Sequence, residues 1–394
     1  MSQPDIVFLS GARTPIGSFG GSLKDVPPTA LGAHAAKAAI ARAGIAPEDV
    51  GHTVFGNVIH TEARDMYISR VAAMEAGVPK EVPAMTVNRL CGSGLQAIIS
   101  AAQIIRLGDA EIALAGGAES MSRGGYLLPQ ARWGQRMGNA QMVDMMVGVL
   151  TDPFGHGHMG VTAENVSERY QISRDDQDVA AVESHRRAAA AVAAGHFAEQ
   201  IAPVEITSRK GPVVFDTDEH FRKDATLADM TKLKAVFKKD GTVTAGNASG
   251  LNDGGAAVVL ADAEVAKARE LTPLARLVSY GLAGVDPSEM GMGPVPAVQI
   301  ALKKAGLSVA DIDVIESNEA FAAQACAVSK ALGFDPAKVN PNGGAIALGH
   351  PVGATGAILA IKTIYELRRT GGRYGLVTMC IGGGQGIAMI VERI

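Results

Sequence analysis

Cys91 is the residue with the clearest potential for chemistry, because it lies where a short apolar run meets a long apolar helix pattern. The run 84–87 predicts a strand, and residues 95–107 predict a helix that is apolar on most sides and therefore buried. A thiol at such a junction faces free backbone N–H groups and the helix dipole, which lower its pKa and favour a thiolate. We therefore predict a nucleophile at Cys91, with a small buried core residue as the alternative.

Three further segments place polar or thiol groups next to turns. His350 precedes a helix pattern, Cys380 ends a strand pattern before a run of glycines, and Asn318 and Glu319 follow another strand. A histidine can take the proton of a nucleophilic thiol, and a glycine turn lets backbone N–H groups approach a substrate oxygen as an oxyanion hole. If each residue is considered alone, the alternative interpretation of His350 is a structural histidine, and that of Cys380 is a buried core residue.

The elements that position these residues alternate between strand and helix. This alternation over the first 120 residues predicts an α/β unit with a mostly parallel, buried sheet. Residues 121–250 differ, being rich in Met, Gly and Arg and then in mixed charges, and we interpret them as an insertion whose loops bind a ligand. The predicted elements of the first unit are strands at 6–10, 50–59, 84–87 and 111–115, and helices at 29–43 (capped by Thr29 and ended by Gly44), 63–77 and 95–107.

After residue 251 the α/β pattern resumes as a repeat of the first unit. Residues 43–50 correspond to residues 305–312 at an offset of 262, residues 54–57 are matched with residues 314–317, and Gly116-Gly117 correspond to Gly382-Gly383 at an offset of 266. Two duplicated halves are therefore predicted. Under this repeat the Cys91 helix matches the helix that follows His350, so a two-fold arrangement brings the thiol and the imidazole together.

Composition bounds the class of protein. A chain of 394 residues exceeds one ordinary core, and 47% hydrophobic with 19% charged residues is typical of a well-buried globular protein. A net charge of −4 offers no global attraction for nucleic acid, and three cysteines are too few for a disulfide framework. Residues 1–5 lack a signal-peptide pattern, and charged residues interrupt the most apolar stretches, so we expect no membrane span and a cytoplasmic protein.

Two alternative kinds of site are poorly supported. His156 and His158 could suggest a metal, but no third ligand has suitable spacing, so no metal site is predicted. The glycines at 382–386 are similar to part of a dinucleotide loop, but the helix and acidic residue that such a loop needs do not follow.

Taken together, the sequence closely resembles the thiolase family over essentially the whole chain. The matching motifs, in family order, are Asn88-Arg89-Leu90-Cys91-Gly92-Ser93-Gly94, Asn247-Ala248-Ser249-Gly250-Leu251-Asn252-Asp253-Gly254, Asn318-Glu319-Ala320-Phe321-Ala322, Gly349-His350-Pro351 and Cys380-Ile381-Gly382-Gly383-Gly384. The resemblance implies an α/β fold of two duplicated halves in α-β-α-β-α layers. We divide the chain into an N-terminal half (1–120 with 251–271), an inserted loop domain (121–250) and a C-terminal half (272–394).

The resemblance also implies a chemistry and a role for each motif residue. The reaction is a reversible ping-pong Claisen condensation of acyl-CoA with acetyl-CoA, as in bacterial β-ketothiolases (acetyl-CoA acetyltransferases), some of which supply polyhydroxyalkanoate synthesis. Cys91 accepts the acyl group, His350 activates it and then helps bind the second thioester oxygen, and Cys380 exchanges the α-proton. Asn318 holds a water that completes one oxyanion hole, and the backbone N–H groups of Cys91 and Gly382 form the other.

Coenzyme A thioesters are substrates under this resemblance, and no cofactor is implied. The residues expected to contact CoA are Arg222, Phe237, Ser249 and His158, with Leu150, Met159, Met290, Ala320 and Phe321 nearer the pantetheine and acyl end. Two departures from the family pattern, the run 232–235 and Asp229, concern the nucleotide end of CoA. A homotetramer built as a dimer of dimers is expected, with residues 121–141 as the inter-dimer loop.

Three other functions stay open at this stage. The first is an acetyl-CoA C-acyltransferase that acts mainly in thiolysis of longer 3-ketoacyl-CoA in fatty acid β-oxidation, because the sequence leaves the acyl chain length and the direction undecided. The second is a condensing enzyme that uses an acyl-carrier protein, against which the thiol of Cys380 argues. The third is a non-catalytic scaffold, which would require the loss of a motif residue, and all of them are present.

Overall fold

The computed structural model describes residues 4–208 and 211–394; residues 1–3 and 209–210, which belong to the N-terminal segment and the mixed-charge segment noted above, lie outside the described residues. The strands are β1 (Ile6–Arg13), β2 (Gly17–Ser18), β3 (His52–Gly56), β4 (Ala84–Val87), β5 (Ile112–Ser120), β6 (Tyr126–Leu127), β7 (Val143–Asp144), β8 (Val204–Ser208), β9 (Gly211–Phe215), β10 (Asn252–Asp262), β11 (Ala275–Gly284), β12 (Val314–Ser317), β13 (Tyr374–Ile381) and β14 (Gln385–Arg393). The α-helices are α1 (Pro28–Ala43), α2 (Ile68–Glu75), α3 (Ser93–Leu107), α4 (Met145–Val149), α5 (Met159–Tyr170), α6 (Arg174–Ala193), α7 (Leu227–Met230), α8 (Ala263–Ala268), α9 (Pro294–Ala305), α10 (Ala322–Leu332), α11 (Ala345–Leu348) and α12 (Val352–Thr370).

The main sheet contains two equivalent sets of strands. In the first set the order is β4-β3-β5-β10-β1, and in the second it is β12-β13-β14-β11. The sets meet where β1 and β11 pair antiparallel over Val7↔Arg276 and Phe8↔Ala275. In each set the strand next to the outer edge is parallel to the edge strand, as a β-α-β crossover requires. The pairs β1-β10, β5-β10, β11-β14 and β13-β14 are antiparallel, so the sheet is mixed and the prediction of a mostly parallel sheet is wrong.

Helices complete the layers that the family resemblance implies. Helices α3 and α12 pack on each other and lie between the two sets of strands. Helix α1 covers the outer face of the first set, and α9 covers the outer face of the second. The α-β-α-β-α arrangement is therefore confirmed. The largest apolar cluster joins α3, α12 and the inner strand faces, so the buried core passes through the middle layer.

The strand register confirms the repeat and corrects two of its details. His52 pairs with Ala113 and Val314 pairs with Gly375, so both strand pairs are displaced along the chain by 262 residues, the offset that residues 43–50 predicted. The match of residues 54–57 with residues 314–317 is therefore two residues out of register. The predicted match of Gly116-Gly117 with Gly382-Gly383 is wrong, because 116–117 lie within β5 and 382–383 form the turn after β13. Residue 117 is glycine for a local reason: a Cβ there would collide with the carbonyl oxygen of Gly353.

Three sequence predictions about elements are also corrected. Thr29 does not cap α1, whose N-cap is Pro27 with extended backbone angles. The helix predicted over 63–77 is divided into a 3-10 turn, Ala63–Tyr67, followed by α2. The window Leu90–Leu107, with mean hydropathy 1.3 and Arg106 as its one charge, is long and apolar enough to cross a membrane by composition alone, so interruption by charged residues was the wrong reason to exclude a span there. That window is 56% buried inside the protein, as a core helix is.

The segment between β5 and β10 folds onto one end of this core. It contains two small hairpins, β6-β7 and β8-β9, together with α4 to α7. A buried ion pair fixes part of it, because the two terminal guanidinium nitrogens of Arg13 donate to the carboxylate of Asp218 at 2.7 and 2.9 Å. The segment therefore has a defined position over the ends of α3 and α12, where the candidate site lies.

Candidate active site

A tight turn presents Cys91 just ahead of α3. Leu90 has a positive φ of 45°, a conformation that costs a residue with a side chain about 1–2 kcal/mol. Hydrogen bonds hold this turn: Ser93 Oγ donates to the Leu90 carbonyl at 2.7 Å, and the Leu90 N–H donates to Asn88 at 3.0 Å. Gly92 fits closely beside the thiol, since a Cβ there would lie 2.5 Å from the Cδ1 of Ile381 and would displace that side chain. The turn thus positions Cys91 at the predicted strand-to-helix junction.

The acidity predicted for the Cys91 thiol is wrong. Desolvation by the surrounding protein raises the pKa of Cys91 to about 11, and the nearby carboxylate of Glu119 raises it further. The backbone N–H groups of Gly382 and of Cys91 itself lower this pKa, but they do not outweigh the loss of solvent. The resting nucleophile is therefore a neutral thiol, so a base has to remove its proton.

His350 is a suitable base because three contacts orient it and burial keeps it neutral. Its backbone N–H donates to Asn252 Oδ1 at 2.9 Å, and its Nδ1 lies 2.7 Å from the hydroxyl of Thr355. Its Nε2 lies 3.5 Å from the amide nitrogen of Asn318. Desolvation lowers the pKa of His350 to about 4, so the neutral imidazole is the form present near neutral pH.

Cys380 is the penultimate residue of β13, and Ile381 connects it to the glycine turn that leads to β14. Gly383 and Gly384 adopt positive φ angles of 80° and 82°, which favour glycine, and this allows the tight connection that the sequence suggested. Burial, followed by the nearby Cys91, raises the pKa of the Cys380 thiol. Cys380 is therefore a neutral thiol at rest and can act as a proton donor.

Both thiols and the imidazole open onto one mainly apolar cavity of about 410 Å³. Most of the residues predicted to bind or transform substrate line this cavity: Cys91, His350, Cys380, Gly382, Leu150, His158, Met159, Phe237, Ser249, Met290, Ala320 and Phe321. Asn318 lies behind His350 and contacts it. The structure thus brings together catalytic residues from both halves.

Aromatic rings form one side of the cavity. The ring of His158 stacks on Phe237 with centroids 4.7 Å apart, and Phe237 meets Phe321 edge to face at 6.3 Å. His158 also caps α5 by accepting the Gly160 N–H at Nδ1, at 3.1 Å. Flat, rigid walls of this kind favour the binding of an extended apolar chain.

Arg222 lies away from the other predicted residues, in an adjoining cavity of about 590 Å³. The two cavities share Ala248 and Gly250, so they are neighbours. Basic side chains line much of the second cavity, namely His185, His220, Arg222, Lys223 and Lys232. Asp229 lies here as well and forms a 3.0 Å ion pair with Lys232.

Three residues that hold the site were missed as site residues. Asn252 was quoted only as part of a motif, whereas its side chain bonds the backbone of His350. Thr355 bonds the imidazole, and Glu119 lies beside Cys91 and bonds the helix that follows His350. A signal existed for Glu119, because it is an acidic residue four positions after the strand predicted at 111–115, in a run of small residues that continues this strand.

No group of three His, Cys, Asp or Glu side chains within residues 4–208 and 211–394 is arranged to hold a metal ion. The groups that the site offers for chemistry are the two thiols, the imidazole and the backbone N–H groups of the two turns.

Comparison with known proteins gives consistent matches over the full length. The model of the thiolase N-terminal domain matches residues 6–264, and that of the thiolase C-terminal domain matches residues 271–393. The chain is 67% identical over 391 residues to a beta-ketothiolase, BktB, of Cupriavidus necator, and 53% identical to an acetyl-CoA acetyltransferase of the same organism, each match covering 99% of both chains.

Solved structures agree with these sequence matches. Human mitochondrial 3-ketoacyl-CoA thiolase is similar with a TM-score of 0.98 and 46% identity, covering 99% of each chain. The acetyl-CoA acetyltransferase of Bacillus anthracis is similar with the same TM-score and identity, covering 100% of each chain. A crystal structure of the human protein in complex with CoA gives a TM-score of 0.96.

Proposed function

Because this chain belongs to the thiolase family, we propose that it is an acetyl-CoA C-acetyltransferase, a β-ketothiolase that condenses acyl-CoA with acetyl-CoA reversibly through a Cys91 acyl-enzyme. The observation that carries the proposal is the single cavity onto which Cys91, His350 and Cys380 open. The substrates are coenzyme A thioesters, and the reaction draws on the groups of the chain without a cofactor.

The first half-reaction transfers the acyl group to Cys91. His350 Nε2 takes the thiol proton as the sulfur attacks the thioester carbon, because neither group is charged beforehand. The backbone N–H groups of Cys91 and Gly382, both of which interact with the Cys91 thiol, bind the oxyanion that forms. The C–S bond to CoA then breaks, and the departing CoA thiolate takes the proton of Cys380, which leaves that residue as a thiolate.

The second half-reaction forms the carbon–carbon bond. The Cys380 thiolate removes the α-proton of bound acetyl-CoA, and protonated His350 donates to the thioester oxygen of the enolate. No described residue donates to Asn318 Oδ1, which supports its use in holding a water beside that oxygen. The enolate carbon attacks the acyl group, the bond to Cys91 breaks, and the Cys91 sulfur regains its proton from His350. Thiolysis follows the same steps in reverse.

Mass spectrometry of the intact chain after mixing with acetyl-CoA tests this division of labour. We expect wild type and Cys380→Ala to gain one acetyl group and Cys91→Ala to gain none. Cys380→Ala should nevertheless lack condensation and thiolysis activity. Complete loss of acetylation in Cys380→Ala would contradict the separate roles. Acetylation by free acetyl-CoA also distinguishes this function from that of an enzyme that requires an acyl-carrier protein.

A second candidate is an acetyl-CoA C-acyltransferase that acts mainly in thiolysis of longer 3-ketoacyl-CoA. The observation that favours it is the cavity wall, where Met121, Met159 and Met290 are unbranched and adaptable and can accommodate different acyl groups. Thiolysis rates for acetoacetyl-CoA, 3-ketovaleryl-CoA and 3-ketohexanoyl-CoA separate the candidates. A kcat/KM that increases with chain length supports the second candidate, and one that falls supports the first.

We also propose a homotetramer, a dimer of dimers, in the cytoplasm, where reduced thiols persist. Exposed apolar side chains on the 121–147 segment support the assembly, among them Tyr126, Trp133 and Met137. The three cysteines are all free thiols, which supports the compartment. Cell fractionation that recovers the protein with the membranes would contradict the location.

A further inference from the structure

Glu119 is a fully buried carboxylate near the nucleophile, and the proposed reaction does not use it. It lies at the end of β5 and accepts four hydrogen bonds of about 3 Å. Three come from the segment that follows β3, from the side chain of Asn57 and the backbone N–H groups of Val58 and Ile59. The fourth comes from the backbone N–H of Gly353, at 2.9 Å. All four partners are donors, which matches the ionised, acceptor-only form of a carboxylate.

The bond to Gly353 joins the two halves at the active site. Gly353 is the second residue of α12, and its N–H is one of the groups that a helix cannot satisfy internally. The N-cap residue of α12 is Pro351, whose side chain has no acceptor to offer. Glu119 therefore supplies from the first half the capping carboxylate that the second half lacks. Gly353 permits this approach, because a Cβ there would come within 2.7 Å of the carboxylate.

The same helix end carries His350, one residue before Pro351. We propose that Glu119 is a positioning residue, an N-cap supplied across the two halves that holds the start of α12 so that His350 meets Cys91. This inference rests on the proposed function. It adds a charged residue that acts through His350 and touches no substrate.

Charges around Glu119 make its effect dependent on pH. The facing titratable groups are Asp65, from the 3-10 turn before α2, and Cys91, from the turn before α3. Burial and Asp65 raise the pKa of Glu119 to about 8, against the lowering effect of its backbone donors. The cap is consequently strongest above this pH, where the carboxylate is ionised, and it weakens as the pH falls. A glutamine side chain at position 119 has nearly the same shape as the protonated glutamate.

The test compares Glu119→Gln with wild type by the rate of Cys91 acetylation from acetyl-CoA between pH 6 and 9. Above pH 8 we expect wild type to react roughly tenfold to a hundredfold faster, because a small displacement of a catalytic group costs that much. The KM for acetyl-CoA should stay unchanged, since Glu119 lies outside both cavities. The rate ratio should shrink towards one as the pH falls and the wild-type carboxylate is protonated.

Glu164→Gln is the matched control. Glu164 is also a buried carboxylate that accepts backbone N–H groups, those of Thr242 and Val243, but it does not contact α12. Glu164→Gln should destabilise the fold about as much as Glu119→Gln does. The ratio of the wild-type to the Glu164→Gln acetylation rate should not change with pH. A ratio for Glu119→Gln that stays constant with pH, or that equals the Glu164→Gln ratio, would overturn the proposal. Absence of acetylation in wild type would instead overturn the proposed function.

Discussion

One hydroxyl group decides how the imidazole of His350 is oriented. Thr355 Oγ1 lies 2.7 Å from His350 Nδ1 and also donates to the Pro351 carbonyl at 2.9 Å. A hydroxyl that donates to that carbonyl accepts the Nδ1–H, which leaves Nε2 unprotonated and able to take the thiol proton of Cys91. The amide N–H of Asn318 faces Nε2, in agreement with this tautomer.

Thr355→Val should therefore lower kcat roughly tenfold or more, because the imidazole loses the partner that fixes its tautomer. Thr355→Ser keeps the hydroxyl and should retain most of the activity. Steady-state thiolysis of acetoacetyl-CoA measures both variants, and we expect KM to change little. Equal activity of the valine and serine variants would show that the hydroxyl does not orient His350.

The types of the reacting residues could be predicted from the sequence, but their acidity could not. Cys91, His350 and Cys380 were found from their places beside turns and from the repeat. The pKa of Cys91 was predicted in the wrong direction, because a helix dipole is visible in a sequence whereas desolvation depends on distant chain segments. The role of Glu119 was missed for a similar reason: its acidic type was visible, but the partner that reveals its role, Gly353, lies in the other half of the chain. Thr355 was missed although its partners, His350 and Pro351, are close to it in the sequence.

At the scale of elements, two glycines allow α3 and α12 to touch. A Cβ on Gly94 would lie 2.8 Å from the backbone nitrogen of Ala357, and a Cβ on Gly356 would collide with the backbone of Leu95. Each helix thus places a glycine against the backbone of its partner near its N-terminus. This close approach brings the turn of Cys91 and the turn of His350 to the same cavity.

Gly356→Ala should separate these helix ends, which lowers both the stability and the rate of Cys91 acetylation. Overpacking of a close contact costs about 1–3 kcal/mol, and a displacement near 1 Å lowers the rate by up to about a hundredfold. Chemical denaturation and mass spectrometry measure the two effects. Gly284→Ala is the control, because the added methyl group would meet only the Gly384 carbonyl oxygen, at 3.9 Å, and φ is not positive there. A fully active Gly356→Ala would contradict the argument.

Elements were predictable where a short pattern determines them. The αL glycines Gly44 and Gly306 end α1 and α9 at equivalent places, and both were visible as part of the repeat. The glycine pair at 382–383 was assigned to the wrong partner because a glycine in the sequence does not reveal whether it serves a turn or a close contact. Gly117 serves a contact with α12, and that contact exists only in the folded chain.

For the whole molecule, buried histidines connect stability to pH. Burial, then the charges of His220 and Arg222, lower the pKa of His185 to about 4, and its Nδ1 accepts the Arg222 N–H. The unfolded chain, with a pKa near 6.5, binds this proton more readily than the folded chain. Stability is therefore complete above about pH 6.5 and is lost as the pH falls towards 4.

Between pH 7.5 and 5, His185 should account for a loss of about 2 kcal/mol in the free energy of unfolding. His185→Gln removes this proton site, so urea denaturation of the variant should show a correspondingly smaller loss over the same interval. Glu119 and Glu316, whose pKa values are raised to about 8 and about 7, change stability in the opposite direction but are common to both proteins. Equal losses in wild type and variant would contradict the prediction.

The proposed tetramer has a built-in reporter, because Trp133 is the one tryptophan of the chain. Its side chain is 82% exposed in the single chain, and the nearby Met137 is 91% exposed. If residues 121–141 join two dimers, these side chains become buried, and the tryptophan emission of the assembled protein lies at shorter wavelength than that of dissociated subunits. Met137→Asp places a charge in that contact, so we expect light scattering to show a smaller species and the tryptophan emission to shift to longer wavelength. Lys80→Asp is the control, because Lys80 lies on an exposed loop and its substitution should leave the assembly intact. A monomer in the wild-type protein would overturn the assembly, and a Met137→Asp variant that remains tetrameric would exclude this segment from the contact.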